Sequence, residues 1–184
     1  MILFTADWHI KLGQKYVPRQ CALNRYSKFF EQIHSLENQC EMHIIGGDLF
    51  DRLPSMEELE LYFSFIREVG IPTIIYDGNH EATKKNKTFF TQLKQVTRDI
   101  NPLVKIADIS YYDSDLGFSI LPYADLHREG SIEKFISTAP LFTHVRGEIP
   151  PHVKPEVDLD RFEDFPIVFA GDLHAHSNSQ KNIV

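Results

Sequence analysis

Five places along the chain set a side chain able to bind a metal just past a short apolar run. Asp7 and His9 follow Ile2-Leu3-Phe4-Thr5, and Asp48 follows the run Met42 to Ile45 and the pair Gly46-Gly47. Asn79 and His80 follow Thr73-Ile74-Ile75-Tyr76, His144 follows Leu141-Phe142-Thr143, and Asp172, His174 and His176 follow Ile167 to Ala170. A single Asp after a strand is an ordinary turn residue. A series of five such ends, every one carrying Asp, His or Asn, is hard to obtain by chance, because functional groups of an open α/β sheet gather outside the carboxyl ends of its strands. The donors are carboxylate, imidazole and amide oxygen without thiolate, a set that suits Mn²⁺, Fe²⁺ or Zn²⁺ better than a thiolate zinc site or an all-oxygen calcium cage. They are too many for one ion. Two ions about 3.5–4 Å apart, sharing one carboxylate, would use them all, and that is the arrangement that hydrolyses phosphate esters.

The elements that must position these groups are legible in the hydrophobic pattern. Leu23, Tyr26, Phe30, Ile33 and Leu36/Glu37 recur at helical spacing over about 22–39. Ser55 with Glu58 three residues on is a capping-box pattern, and Met56, Leu59, Phe63 and Ile66 are expected on the core face of the helix that follows. A third helix is expected over about 88–100, burying Phe89, Leu93, Val96 and Ile100 before Asn101-Pro102 stops it. Strand–helix alternation then gives way to β structure, with strands expected at 104–109, 111–112 and 118–121. A short helix is expected over 131–137 and a Pro-rich loop over 147–155. Trp8, His34 and His43 are expected to pack rather than to bind, while His127 and His152 sit in polar loops. Lys84, Lys85 and Lys87 form a basic loop beside Asn79 and His80, where phosphates of DNA could meet them.

At 184 residues, 42% hydrophobic and 24% charged, the sequence suits one domain with a full core and is short for two. The net charge of −7 excludes a broadly basic nucleic-acid coat but not a nuclease, whose clustered carboxylates are partly neutralised by their ions. Cys21 and Cys40 form no Cys-x-x-Cys pair and read as thiols of a reducing compartment. No apolar run approaches the roughly 20 residues needed to span a bilayer, and no signal-peptide pattern opens the chain, so the expectation is a cytoplasmic protein without membrane contact. The last residues read as the start of another strand, and residues 1–184 are expected to be one domain cut short at its C-terminus.

Asp7-x-His9, Gly47-Asp48, Gly78-Asn79-His80-Glu81, His144 and the Gly-x-x-His of Gly171 to His174 resemble, in order and spacing, the calcineurin-like metallophosphoesterases over nearly the whole chain. Ala6-Asp7-Trp8-His9 with Gly13 nearby, Gly47-Asp48-Leu49-Phe50-Asp51 and Pro122-Tyr123 resemble more narrowly the SbcD-type nuclease subunits of bacteria and phages. The resemblance implies an α/β fold, a two-sheet β-sandwich flanked by helices in four αββα layers. It implies Asp7 and His9 on a first metal, Asp48 bridging, Asn79 and His144 on a second, and His80 as the catalytic histidine that protonates or stabilises the leaving oxygen. It further implies two Mn²⁺ ions, DNA as substrate, an SMC-like (SbcC-type) ATPase as partner, a homodimer, and work in DNA recombination, repair and replication.

One departure bears on the ligand set. The family usually ends in Gly-His-x-His, whereas Asp172 follows Gly171 here. Alignment on the glycine makes Asp172 the stand-in for the first imidazole and His174 the second; the other register pairs His174 with His176. Gly-Asp-x-x-Asp-Arg, with Asp51 and Arg52, also occurs in the Ser/Thr protein phosphatases of the same superfamily, which is the alternative reading; in either reading Arg52 is the candidate phosphate contact and a surface charge is its plainer role. Those enzymes carry glycine after Asp-x-His and after Asp-Arg, where this chain has Ile10 and Leu53. A second alternative is a binding scaffold that has lost catalysis.

Overall fold

The computed structural model describes residues 1–84, 87–135, 138–148, 153–173 and 179–184. The chain opens as three successive strand–helix units: β1 (Ile2–Thr5), α1 (Arg19–Glu37), β2 (Met42–Gly46), α2 (Met56–Glu68), β3 (Thr73–Tyr76), then a small antiparallel pair β4 (Ala82–Lys84) and β5 (Lys87–Thr88), α3 (Phe90–Ile100) and β6 (Val104–Ala107). Each helix carries the chain back so that the next strand runs parallel, giving a four-stranded parallel sheet of order β1-β2-β3-β6. The second half supplies β7 (Tyr111–Asp113), β8 (Phe118–Leu121), the one-turn helix α4 (Tyr123–Leu126), β9 (Leu141–His144), a 3₁₀ turn (Leu159–Phe162) and β10 (Val168–Gly171). These strands form a second sheet of order β10-β9-β8-β7, in which only the β7–β8 hairpin is antiparallel.

The two sheets pack face to face because alternate residues of each strand are apolar on both sides, as parallel strands covered twice require. Ile44, Ile74, Tyr76 and Ala107 of the first sheet meet Phe118, Ile120 and Phe142 of the second. The Tyr76 hydroxyl donates across the interface to the Thr143 carbonyl at 2.8 Å. The intervening residues Ile45, Ile75, Val104 and Ile106 face α1, α2 and α3. On the far side of the second sheet, Leu121, Leu141 and Val168 are covered by Leu126, Ile132, Phe162 and Phe165. The result is a mixed α/β sandwich with three long helices on one face and short turns on the other. No helix among the described residues is long and apolar enough to cross a membrane.

Several details differ from the periodic pattern, among them Val96 of α3, which is exposed. Met56 is exposed, and α2 instead buries Glu58, Tyr62, Phe65 and Ile66. The reason is the cap: Ser55 and Glu58 form the capping box, and Glu58 Oε1 also accepts the buried Leu12 N–H at 2.8 Å, so this carboxylate belongs inside. On α1 the pattern allows Leu36 or Glu37 at the inward position near the C-terminus, and it is Glu37, which bonds His34 and His43, each at 2.7 Å. Residues 131–135 form turns rather than a helix, and 136 and 137 lie outside the described residues.

Candidate metal centre

The segments leaving β1 and β2 stay in register beyond the strands. Asp7 N–H donates to Gly47 O at 3.1 Å, His9 N–H to Asp48 O at 2.9 Å and Ile10 N–H to Leu49 O at 2.8 Å. This fixes Asp7 and His9 alongside Asp48 at the carboxyl end of the first sheet. Asp7, His9 and Asp48 all adopt positive φ (57°, 46° and 49°), as does Asp172 (68°). Left-handed backbone is uncommon outside glycine and concentrates at functional sites. Gly47 (φ 83°) and Gly78 let the loops close around these residues: a Cβ on either would strike His144, and one on Gly78 would also strike Asp48.

Asp48 is the hub. Its carboxylate Oδ1 accepts the His80 N–H at 2.9 Å, and its buried Oδ2 has no hydrogen-bond partner. Around that Oδ2 stand three imidazole nitrogens: His144 Nε2 at 3.4 Å, His9 Nε2 at 3.8 Å and His80 Nε2 at 3.8 Å. Donor atoms of His9, Asp48 and His80 form one group within 4.8 Å, and those of Asp7, Asp48 and His144 form another. Asp48 is common to both. His144 is fully buried, with Nδ1 2.9 Å from Gly46 O and Nε2 3.0 Å from Asn79 Oδ1. A carbonyl can only accept, so Nδ1 carries the proton, and Nε2 of the neutral ring then turns a lone pair toward two oxygens. A divalent cation resolves that arrangement of lone pairs without a proton, so the residues fit one. In its absence a proton must serve: burial alone would lower the His144 pKa, but the Asp48 carboxylate, Asp7 and the Gly46 carbonyl raise it to about 9. Burial would raise the Asp48 carboxyl, but His144 and the N–H and ring of His80 hold it below its ordinary range.

Behind Asp48 lies a second carboxylate. Glu81 is fully buried; its Oε2 accepts the N–H groups of Asp48 (2.9 Å) and Gly78 (2.8 Å), and its Oε1 accepts that of Phe50 (2.8 Å). Burial, together with the nearby Asp48 charge, pushes its pKa up to about 8. Glu81 thereby ties the β2 loop to the β3 loop. Its place in Gly-Asn-His-Glu is visible in the sequence, but nothing there distinguishes a buried brace from a surface acid.

His80 has its Nδ1 2.5 Å from the Asp51 carbonyl, which turns Nε2 toward Asp48. The Asp51 side chain pairs with Lys11 at 2.7 Å. Arg52 donates through both terminal nitrogens to Glu58 Oε1, at 3.2 and 3.1 Å, so a phosphate would have to compete with Glu58 for it. Asp172 N–H donates to both Asp7 carboxylate oxygens, at 3.1 and 3.2 Å, and its own Oδ2 accepts from Arg146 Nε at 3.1 Å. His174 and His176, like Lys85 and His152, lie outside the described residues. Trp8 packs edge-on against Phe29 and Phe65 beneath the loop. His43 is buried in a hydrogen-bonded series, its Nδ1 2.7 Å from Glu37 and its Nε2 2.8 Å from the Thr5 hydroxyl, which also accepts from Trp8 Nε1 at 3.1 Å.

A conserved-domain description, calcineurin-like phosphoesterase, matches residues 1–175, and the chain belongs to that family. A curated relative, "Probable exonuclease subunit 1" of Escherichia phage T5, is 38% identical over 186 residues, covering 97% of this chain. The chain spans 55% of that relative's length. A solved archaeal phosphodiesterase aligns over 95% of this chain and 86% of its own, at 22% identity and a TM-score of 0.46.

Proposed function

We propose that this chain is the nuclease domain of a metal-dependent enzyme that hydrolyses DNA phosphodiesters, the catalytic subunit of an SbcCD-type complex that processes DNA ends. The observation that carries this reading is the gathering of three imidazole nitrogens on one buried, unbonded carboxylate oxygen of Asp48, with a fifth ligand-type residue, Asp7, grouped with Asp48 and His144. The likeness to a phage protein named as an exonuclease subunit favours DNA over a phosphoprotein. In this reading Asp7 and His9 would hold one ion and Asn79 and His144 a second, with Asp48 common to both and His174 with either Asp172 or His176 completing the set. When bound, a pair of Mn²⁺ ions supplies charge neutralisation on the phosphoryl oxygens and a water of lowered pKa.

The chain's own part is orientation and proton handling. The Asp51 carbonyl accepts from the Nδ1–H of His80 and so leaves Nε2 facing the site; when the ring carries both protons, Nε2–H is the group that gives its proton to the leaving oxygen. Glu81 and the paired loop backbones fix Asp48 before substrate arrives, so little reorganisation remains for the reaction to demand. Arg52 is a phosphate contact at the rim in this reading. DNA and an SMC-like ATPase are the proposed partners, with a homodimer as the proposed assembly, a cytoplasmic setting and roles in recombination, repair and replication.

The test compares Mn²⁺-dependent cleavage of DNA with turnover of p-nitrophenyl phosphate and of a phosphopeptide. Cleavage of DNA is expected. Turnover of the phosphopeptide without DNA cleavage would transfer the chain to the protein phosphatases, and failure to bind metal or turn over any substrate would make it a scaffold. His80→Ala is expected to keep both ions and lose turnover.

A further inference from the structure

On the Asp7–His9 flank of the centre the surface opens into a cavity of about 560 Å³ that the ligand assignment leaves unexplained. Asp7 and His9 form the wall shared with the centre; Trp8 and Phe29 form an aromatic wall, and Gln14 and Arg25 stand at the polar side. Its volume falls in the range of small-molecule sites. The hydroxyl of the adjoining Tyr26 is committed to the fold, donating to His9 O at 2.7 Å and accepting from Lys11 N–H at 2.8 Å. Gln14 and Arg25 are different. The two terminal nitrogens of Arg25 each lie 3.3 Å from Gln14 Oε1, long bonds between side chains near the surface, and the guanidinium lies 5.1 Å from the Tyr26 ring centroid. Together they present donors and an amide beside an aromatic face, which is the chemistry that holds a nucleobase by its edge and its π-surface. Because Asp7 and His9 are themselves part of the wall, a group filling the cavity is continuous with a phosphate held at the centre. A nucleotide has that continuity, with base and sugar attached to the phosphate. A phosphoserine side chain is one carbon long and brings no base or sugar to the cavity.

We propose that this cavity is a nucleoside subsite, which seats the base and sugar next to the scissile phosphate, with Phe29 against the base and Gln14 and Arg25 at its polar edge. The proposal rests on the nuclease reading for its substrate class but is tested separately from it. Trp8 is the single tryptophan of the chain and lines the cavity, so its fluorescence reports occupancy. The Mn²⁺-loaded protein is titrated with thymidine 5′-monophosphate and with inorganic phosphate, following that signal and competition between the two. The nucleotide is expected to half-saturate at about a tenfold lower concentration than phosphate, as one or two added polar contacts give. That ratio is expected to fall toward one in Arg25→Ala and in Gln14→Ala. Parity between nucleotide and phosphate in the unaltered protein, or a ratio kept in both variants, overturns the subsite. DNA cleavage is measured on the same preparations: cleavage with parity removes the subsite alone, whereas a nucleotide preference without cleavage keeps the subsite and removes the nuclease reading.

Discussion

Replacing Glu81 separates a brace from a surface acid. Its two oxygens accept three buried backbone N–H groups, two on Oε2 and one on Oε1. Glutamine keeps the shape but only one acceptor oxygen. If that oxygen takes the place of Oε2, the amide NH₂ faces the Phe50 N–H, and one buried donor is left unsatisfied. The cost of such a group is about 1–3 kcal/mol, which for a chain of this size lowers Tm by about 3–10 °C. Alanine strands all three donors, a loss on the order of 3–9 kcal/mol unless water enters, comparable with the whole stability of a domain. Thermal unfolding in chelator, where no ion contributes, reads this cost directly, and metal analysis of the refolded Glu81→Gln protein reads its effect on Asp48. Fewer bound ions per chain are expected. A Glu81→Gln protein that melts within 1 °C of the unaltered chain and binds metal in full would refute the bracing role.

Asp48→Asn is expected to lose both ions in metal analysis, since Asp48 is common to both donor groups, whereas Asn79→Ala keeps one. Asp172→Ala and His176→Ala, counted the same way, decide which completes the set: loss of the second ion only in the His176 variant rejects Asp172. Acid stability provides a third check. Burial raises the Glu37 pKa, but its bonds to His43 and His34 outweigh this and hold it below its ordinary 4.5. A carboxyl depressed on folding stabilises above the unfolded pKa, and that contribution disappears as pH falls through the folded value. The stability gap between the chain and Glu37→Gln, measured by urea unfolding in chelator, is therefore expected to be full above about pH 5 and to close on acidification below 4.5.

What the sequence made legible was what backbone periodicity controls. Each short apolar run became a strand, and because parallel strands bring their carboxyl ends to one edge, Asp7, Asp48, Asn79, His80 and His144 met there. The exposure of Met56 has a physical cause. Hydropathy assigns a charged residue to water, yet Glu58 turns inward to meet the buried Leu12 N–H and Arg52, and of the pair Leu36/Glu37 it is Glu37 that turns in, bonded to His43 and His34. With Glu58 inside, Met56 rotates out. Glu81 was visible as a letter of a motif but not as a brace, since its three partners come from main-chain N–H groups that no residue type announces. For Asp51 the contact to His80 is made by a carbonyl, which any residue possesses, while the carboxylate pairs with Lys11.

The left-handed backbone at four candidate ligand positions ties these observations together. Asp7, His9, Asp48 and Asp172 each sit at positive φ, at a cost of about 1–3 kcal/mol apiece where no ordinary turn requires it. Such conformations persist only when neighbours over-determine them, and here the neighbours are one another. Asp7 N–H is held by Gly47 O, His9 N–H by Asp48 O, Asp48 N–H by Glu81, and Asp172 N–H by the Asp7 carboxylate. The strain at one strand end is thus carried by bonds to the next, so the donors behave as a unit. Removing the Asp7 side chain takes away both acceptors of the Asp172 N–H as well as a metal-capable group. Its effect should therefore reach the β10 end of the site, beyond the ion that Asp7 itself would touch.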